Sequence, residues 1–246
     1  MRLYDEIIHD ILTSLEKQDK HILPVGAAAD PVSRDWQDAG KAMMILQSDM
    51  AYELGGHNLP AVGNTLVTTG KDFVPEDEII LIGKDLPEIT EDAPYARIAL
   101  VRVAKDSIGT GDRLYNTIRN IGNFRYHIYP KGFMLRVSSS NDRESVRVEA
   151  EALNEGLNFT AIGNAMLRAL HLHKEVEAVR IIFVTDPKVD YGRLQDGLKK
   201  TKQITATIDH MLKDVNMDCG SCGLQEICDE IEGLREMHFG MSEEHT

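Results

Sequence analysis

Three cysteines, Cys219, Cys222 and Cys228, fall in one short stretch of the chain, and the sequence contains no others. The pattern Cys219-x2-Cys222-x5-Cys228, with Gly220 and Gly223 beside the first two thiols, suits a tight turn. Its backbone amides could point toward the sulfurs, as metal and cluster loops require. An odd number of closely spaced thiols does not read as a secreted disulfide framework and points instead to metal in a reducing compartment. A closed tetrahedral site needs a fourth ligand, and ligand chemistry alone admits either zinc or an iron–sulfur cluster. The competing reading is three free thiols on a tail.

A second concentration of chemistry lies upstream. Arg113, Arg119, Arg125, Arg136, Arg143 and Arg147 are interleaved with Tyr115, Phe124, Tyr126 and Tyr129. Guanidinium groups grip phosphates bidentately and stack on rings, so the set could receive a phosphorylated ligand. Alternatively, these arginines are solvated and pair with the many carboxylates. Other constellations read as structure. Gly109-Thr110-Gly111 lacks the Lys-Ser/Thr and third glycine of a phosphate loop. His171 and His173 would project about 200° apart on a helix, too far to chelate. Ser138-Ser139-Ser140-Asn141-Asp142 reads as a loop and helix cap, with no histidine marked to activate a nucleophile.

The 246 residues carry a formal charge of −13 and are 42% hydrophobic. Such a chain can bury a substantial core, and its field repels nucleic acid and anionic membranes. A local arginine cluster can still hold a small phosphorylated ligand, because a nearby anion feels the patch more than the total. The start Met1-Arg2-Leu3-Tyr4-Asp5-Glu6 has neither the basic onset nor the apolar run of a signal peptide. The expected location is therefore cytoplasmic, without a membrane span.

The elements that must position these residues read as α+β. Leu3, Ile7, Ile8, Ile11, Leu12 and Leu15 make a helical stripe over residues 2 to 19. A connection over 22 to 35 leads to an expected second helix at about 34 to 50. Strands are expected at 64–69, 78–83, 96–104, 124–129, 133–138 and 179–185, where β-branched and aromatic residues cluster between Gly, Pro and Asp. Helices are expected at 111–121, 143–155 and 159–174, followed by a long exposed helix over 191–215 that delivers the cysteines. The expected architecture is a mixed sheet with flanking helices and a small Cys-rich metal-binding C-terminal element. Its divisions are an N-terminal helical segment (1–47), an α+β domain (48–190), and a helix with a Cys-rich tail (191–246).

Four stretches then carry a resemblance. They are Met50-Ala51-Tyr52-Glu53-Leu54-Gly55-Gly56-His57-Asn58-Leu59-Pro60-Ala61; Ile82-Gly83-Lys84-Asp85-Leu86, followed by the strand Ile98-Ala99-Leu100-Val101; Leu135-Arg136-Val137-Ser138; and Phe183-Val184-Thr185-Asp186. In order and spacing they resemble the middle domain of acetyl-CoA synthase, the subunit that assembles acetyl-CoA from CO, a methyl group and CoA. The resemblance spans roughly residues 48 to 230 and leaves the N-terminal helix outside. It implies that the cysteine segment begins a cluster site, with His238 where similar family members place their fourth cluster cysteine. The implied ligand set is Cys219, Cys222, Cys228 and His238, holding a [4Fe-4S] cluster or, given the histidine, zinc. The resemblance also implies CoA contact at Arg136 and Arg113. A tryptophan that the family carries nearby has no counterpart, since the one tryptophan is Trp36. The Cys-Gly-Cys segment that completes the family's nickel site is absent from these residues, so no CO-methylating activity is expected of this polypeptide alone. The implied role is an accessory or partial synthase subunit in the one-carbon metabolism of an anaerobe. Its partners would be other subunits of a CO dehydrogenase/acetyl-CoA synthase or corrinoid protein assembly. The alternatives are a non-catalytic docking module with a structural zinc, or a small electron-transfer protein.

Overall fold

The computed structural model describes residues 3–26, 44–56, 58–105, 112–126, 130–138 and 143–213. Its centre is a five-stranded mixed sheet of β1 (His21–Leu23), β3 (Ala61–Thr68), β4 (Glu78–Ile82), β5 (Tyr95–Val103) and β8 (Val176–Val184), in the order β1-β4-β8-β5-β3. The β4–β8 and β3–β5 pairs are parallel, and the β1–β4 and β5–β8 pairs are antiparallel. Strands β4, β5 and β8 read as nearly unbroken apolar runs because both of their faces are covered.

A smaller antiparallel sheet, β2 (Met50–Leu54), β7 (Arg143–Glu149) and β6 (Phe133–Ser138) in the order β2-β7-β6, covers part of one face. Helix α4 (Phe159–Leu170) covers the rest of that face. Phe159 of α4 stacks on Phe183 of β8 at 4.5 Å and meets Phe133 of β6 edge-on at 6.3 Å. Helices α1 (Asp5–Ser14) and α5 (Tyr191–Lys213) pack on each other, and α5 lies against β3. The Asn64 amide donates to Thr201 Oγ1 at 3.1 Å, Tyr4 Oη meets Thr205 Oγ1 at 3.0 Å, and Thr68 donates to Asp5 at 2.9 Å. These polar pairs set the register of a seam that apolar contact alone would leave free to slide.

Four expectations need correction. The segment expected as a helix over 143–155 is strand β7 followed by the short helix α3 (Ala150–Asn154). Glu144, Val146 and Val148 turn inward at period two, and that pattern outweighs the helix-forming composition. The expected strand at 124–129 begins instead as a 3-10 turn, Asn123–Tyr126, that extends α2 (Asp112–Gly122) and sends Phe124 into the core. Residues 44–49, the end of the expected second helix, form an irregular segment and turn, and β2 begins at Met50. Helix α5 is not exposed along its length, since Leu194, Leu198, Ile204 and Ile208 are buried against the core. Residues 27–43, which hold the rest of the expected second helix, lie outside the described residues, as do 1–2 and 214–246.

One ion pair joins the two sheets. Arg97, in the middle of β5, donates from Nε and Nη2 to the two carboxylate oxygens of Glu144 on β7, at 2.6 and 2.7 Å. The Arg97 side chain is 0% exposed and that of Glu144 is 1% exposed. Gly63, the register partner of Arg97 on β3, has to be glycine, because a Cβ there would fall on the Glu144 carboxylate. Gly63→Ala is therefore expected to destabilise the chain by about 3 kcal/mol or more, by displacing one member of a buried pair, and urea unfolding measures this directly. Burial also pushes the Tyr4 hydroxyl up to about 12, and it raises Tyr52, Tyr95 and Tyr191 as well. Their raised values mean that stability is retained below the ordinary phenol range, near pH 10, and falls as pH rises through the folded values. Tyr4→Phe should flatten that alkaline slope in the same unfolding measurement.

Candidate functional site

The stretches that carry the family resemblance meet one another in space. Gly83, at φ +107°, turns the chain after β4, and a Cβ there would collide with the Asp186 amide and the Thr185 hydroxyl. Thr185 donates to the Lys84 carbonyl at 2.8 Å, and the amides of Thr185 and Asp186 donate to Ile82 O. Asp85 accepts from the Leu86 amide at 2.7 Å and from the Phe159 amide at 2.8 Å, so one carboxylate caps both a 3-10 turn and α4. Burial raises the Asp85 pKa despite those two hydrogen bonds, which lower it. Tyr52 Oη donates to Leu86 O at 2.6 Å.

The arginines divide by task. Nη2 of Arg143 donates to the carbonyls of Gly55, Gly56 and Leu59 at 2.8 to 2.9 Å, which holds the turn after β2. Arg147 donates to Ile45 O at 3.0 Å, tying the irregular segment to the small sheet. Arg125 lies 3.5 Å from Glu144, so a single carboxylate serves both Arg125 and Arg97. Arg97 also lies over the Phe124 ring, 5.1 Å from its centroid. Burial alone would lower the Arg97 pKa, but the adjacent Glu144 more than offsets it, and the guanidinium stays charged.

Of the two arginines implied for CoA, Arg136 projects from the outer face of the small sheet. It pairs there with Glu53 at 2.5 Å and is 44% exposed. Arg113 is exposed on α2. The two lie on separate elements and share no hydrogen-bond partner among the described residues. Cys219, Cys222, Cys228 and His238 all lie outside the described residues, as does Gly109-Thr110-Gly111. Among the described residues no group of three or more His, Cys, Asp or Glu side chains is arranged to hold a metal ion. His171 Nε2 meets Asp77 at 2.8 Å near the surface, a local pairing. No helix among the described residues is long and apolar enough to cross a membrane.

An open cleft of about 270 Å³ lies at the β3 edge of the large sheet, between α2 and α5. The sequence reading did not find it, because its walls come from three distant stretches. It also missed the Arg97–Glu144 pair. A signal for that pair was present, namely an arginine inside the otherwise apolar run Tyr95–Val103.

The exposed Arg136–Glu53 pair is worth about 1 kcal/mol or less, whereas loss of the three Arg143 contacts takes the guanidinium donor from the Gly55 and Leu59 carbonyls and leaves Gly56 O only the Leu59 amide, which should cost about 2 to 3 kcal/mol. Arg143→Ala is thus expected to lower the unfolding midpoint clearly and Arg136→Ala hardly at all, as thermal or urea unfolding will show.

The profile of the CO dehydrogenase/acetyl-CoA synthase complex beta subunit family matches residues 37–189. No curated protein matches the chain. The family match takes in the small sheet, four strands of the large sheet and α2 to α4, and stops just before α5 begins at Tyr191. With more than half of its length matched, the chain belongs to the CO dehydrogenase/acetyl-CoA synthase complex beta subunit family.

Proposed function

We propose that this chain serves CO and one-carbon metabolism in the cytoplasm of an anaerobe, as an accessory or partial synthase subunit of a CO dehydrogenase/acetyl-CoA synthase assembly. In this reading it docks against other subunits or a corrinoid protein. It carries a metal centre on Cys219, Cys222, Cys228 and His238, and offers Arg113 and Arg136 to the phosphates of CoA. The observation that carries the reading is the family match over 37–189, which α5 then follows in the direction of the cysteine segment. The exposure of Arg113 and Arg136 supports CoA contact, since a phosphate could replace Glu53 as the partner of Arg136 at little cost.

The ligand set is chemically consistent with either of two groups. A [4Fe-4S] cluster would supply redox chemistry, and a Cys3His zinc would hold the tail in shape. In either case this chain's own contribution is three thiolates and an imidazole.

Metal and acid-labile sulfide analysis on protein purified without oxygen tests the reading, with Cys222→Ser as the comparison. Iron and sulfide near four per chain, lost in the variant, is the expected result. About one zinc without sulfide would make the chain a docking module with a structural site. A chain that binds neither would overturn the ligand set. For CoA, the expected outcome is an affinity for CoA about tenfold weaker in Arg113→Ala/Arg136→Ala, measured by calorimetric titration.

A further inference from the structure

The two ends of the large sheet are finished differently. At one end β3 is buried along most of its length, with α2, α5 and β7 packed against it. At the other end β1 has β4 as its one strand neighbour among the described residues, and two of its three residues are exposed. Ile22, the central residue, is 62% exposed, although Ile80, its register partner on β4, is buried. Val25, just beyond the strand, is 43% exposed.

An edge strand presents a row of backbone N–H and C=O groups that no strand pairs, and proteins commonly guard such a row with a charge, a bulge or a proline. The small sheet follows that rule, since its edge strand β6 carries the exposed Arg136. In β1 the central position holds isoleucine instead, the register with β4 is unbroken, and Pro24 falls after the strand. The nearest cation, Lys20, turns back to donate to Glu16 O at 3.4 Å.

The edge is also held in place. Buried Asn164 of α4 donates to Pro24 O and accepts from the Gly26 amide, both at 2.8 Å, and donates again to Thr160 O at 2.9 Å. The chain leaving β1 is thereby fixed, so a strand that joins the edge meets a backbone that is already ordered.

The occupant of such an edge must itself be an extended backbone with an apolar side chain to cover Ile22. A second β1 meets both needs. Laid antiparallel about a twofold axis at Ile22, it sets Ile22 against Ile22 and His21 against Leu23, while Asp19 and Lys20 fall alongside Val25 and Pro24. No like charges are opposed, and the contact is self-complementary, as a twofold interface requires. We propose that the chain pairs with a second copy of itself through β1, which joins the two five-stranded sheets into one continuous sheet. A strand this short buries less than the roughly 1,200 Å² of a stable interface, and each copy carries a charge of −13, so the expected Kd is about 10–100 μM. The pairing involves neither the cysteine segment nor Arg113 and Arg136, and it stands apart from the metal and CoA readings.

The test is sedimentation equilibrium of the full chain under reducing conditions, at concentrations up to about 500 μM. A monomer–dimer equilibrium is expected, strengthened by added salt because the two copies repel each other. Ile22→Lys should weaken it at least about tenfold, since it sets two ammonium groups face to face. Ile22→Val should retain it, and Leu46→Ser, which removes an exposed apolar side chain elsewhere, should leave it unchanged. Hydrogen exchange on the wild type at low and high concentration should show protection gained at His21–Leu23, which decides the matter even if a variant does not fold. A chain that stays monomeric would overturn the proposal in favour of a strand from another subunit. A dimer indifferent to Ile22→Lys, a dimer lost equally in Leu46→Ser, or protection centred elsewhere would overturn it as well.

Discussion

The Arg97–Glu144 pair is the constraint around which the molecule is arranged. A guanidinium and a carboxylate taken wholly out of water are tolerable only when they satisfy each other, and here two of the three guanidinium nitrogens meet the two carboxylate oxygens. The pair requires the small sheet to sit at one height and in one register on the large one. It requires glycine at position 63, and it places Phe124 under the Arg97 guanidinium, so that the turn after α2 is drawn in as well. Tyr95 lies on the same face, its hydroxyl buried and without a hydrogen-bond partner among the described residues. Removing or misplacing one member of a buried ion pair strands the other charge, at a cost of about 3–5 kcal/mol. Any other docking of the two sheets would therefore leave Arg97 or Glu144 buried and unpaired.

The family's recognisable stretches prove to be architectural wherever they are described. The Glu53–Arg136 contact joins the first stretch to the third, and the Thr185–Lys84 and Asp186–Ile82 contacts join the second to the fourth. The second and fourth stretches thus close one another's turns at the ends of β4 and β8.

The sequence reading succeeded where one physical signal dominated. The apolar runs of β4, β5 and β8 and the helical stripe of Ile7, Ile8 and Ile11 had no competitor. It failed where two signals opposed each other. Arg143, Glu144, Arg147 and Glu149 belong to a strand with one solvated face, but their composition, running on into Ala150-Glu151-Ala152-Leu153, favours helix, and the period-two burial of Val146 and Val148 became visible only with a partner sheet in place. Phe124 looked like the start of a strand, yet its ring is held by a guanidinium more than twenty residues earlier in the chain. Of the candidate residues, Arg113 and Arg136 lie on described elements, α2 and β6, and both are exposed. The cleft was illegible because β3, α2 and α5 converge only in three dimensions.

The strand order has a further meaning for synthesis. Strand β8 lies between β4 and β5, yet it is made last, after residues 78–103 have long left the ribosome. Until Val176–Val184 emerges, neither β4 nor β5 can find its central neighbour, and α1 waits longer still for α5 to provide its surface. The nascent chain therefore carries apolar strands with open edges while residues 104–184 are made, and the native sheet closes in a late, long-range step. This topology makes the unfinished chain more prone to aggregate than the finished one, whatever its stability once complete.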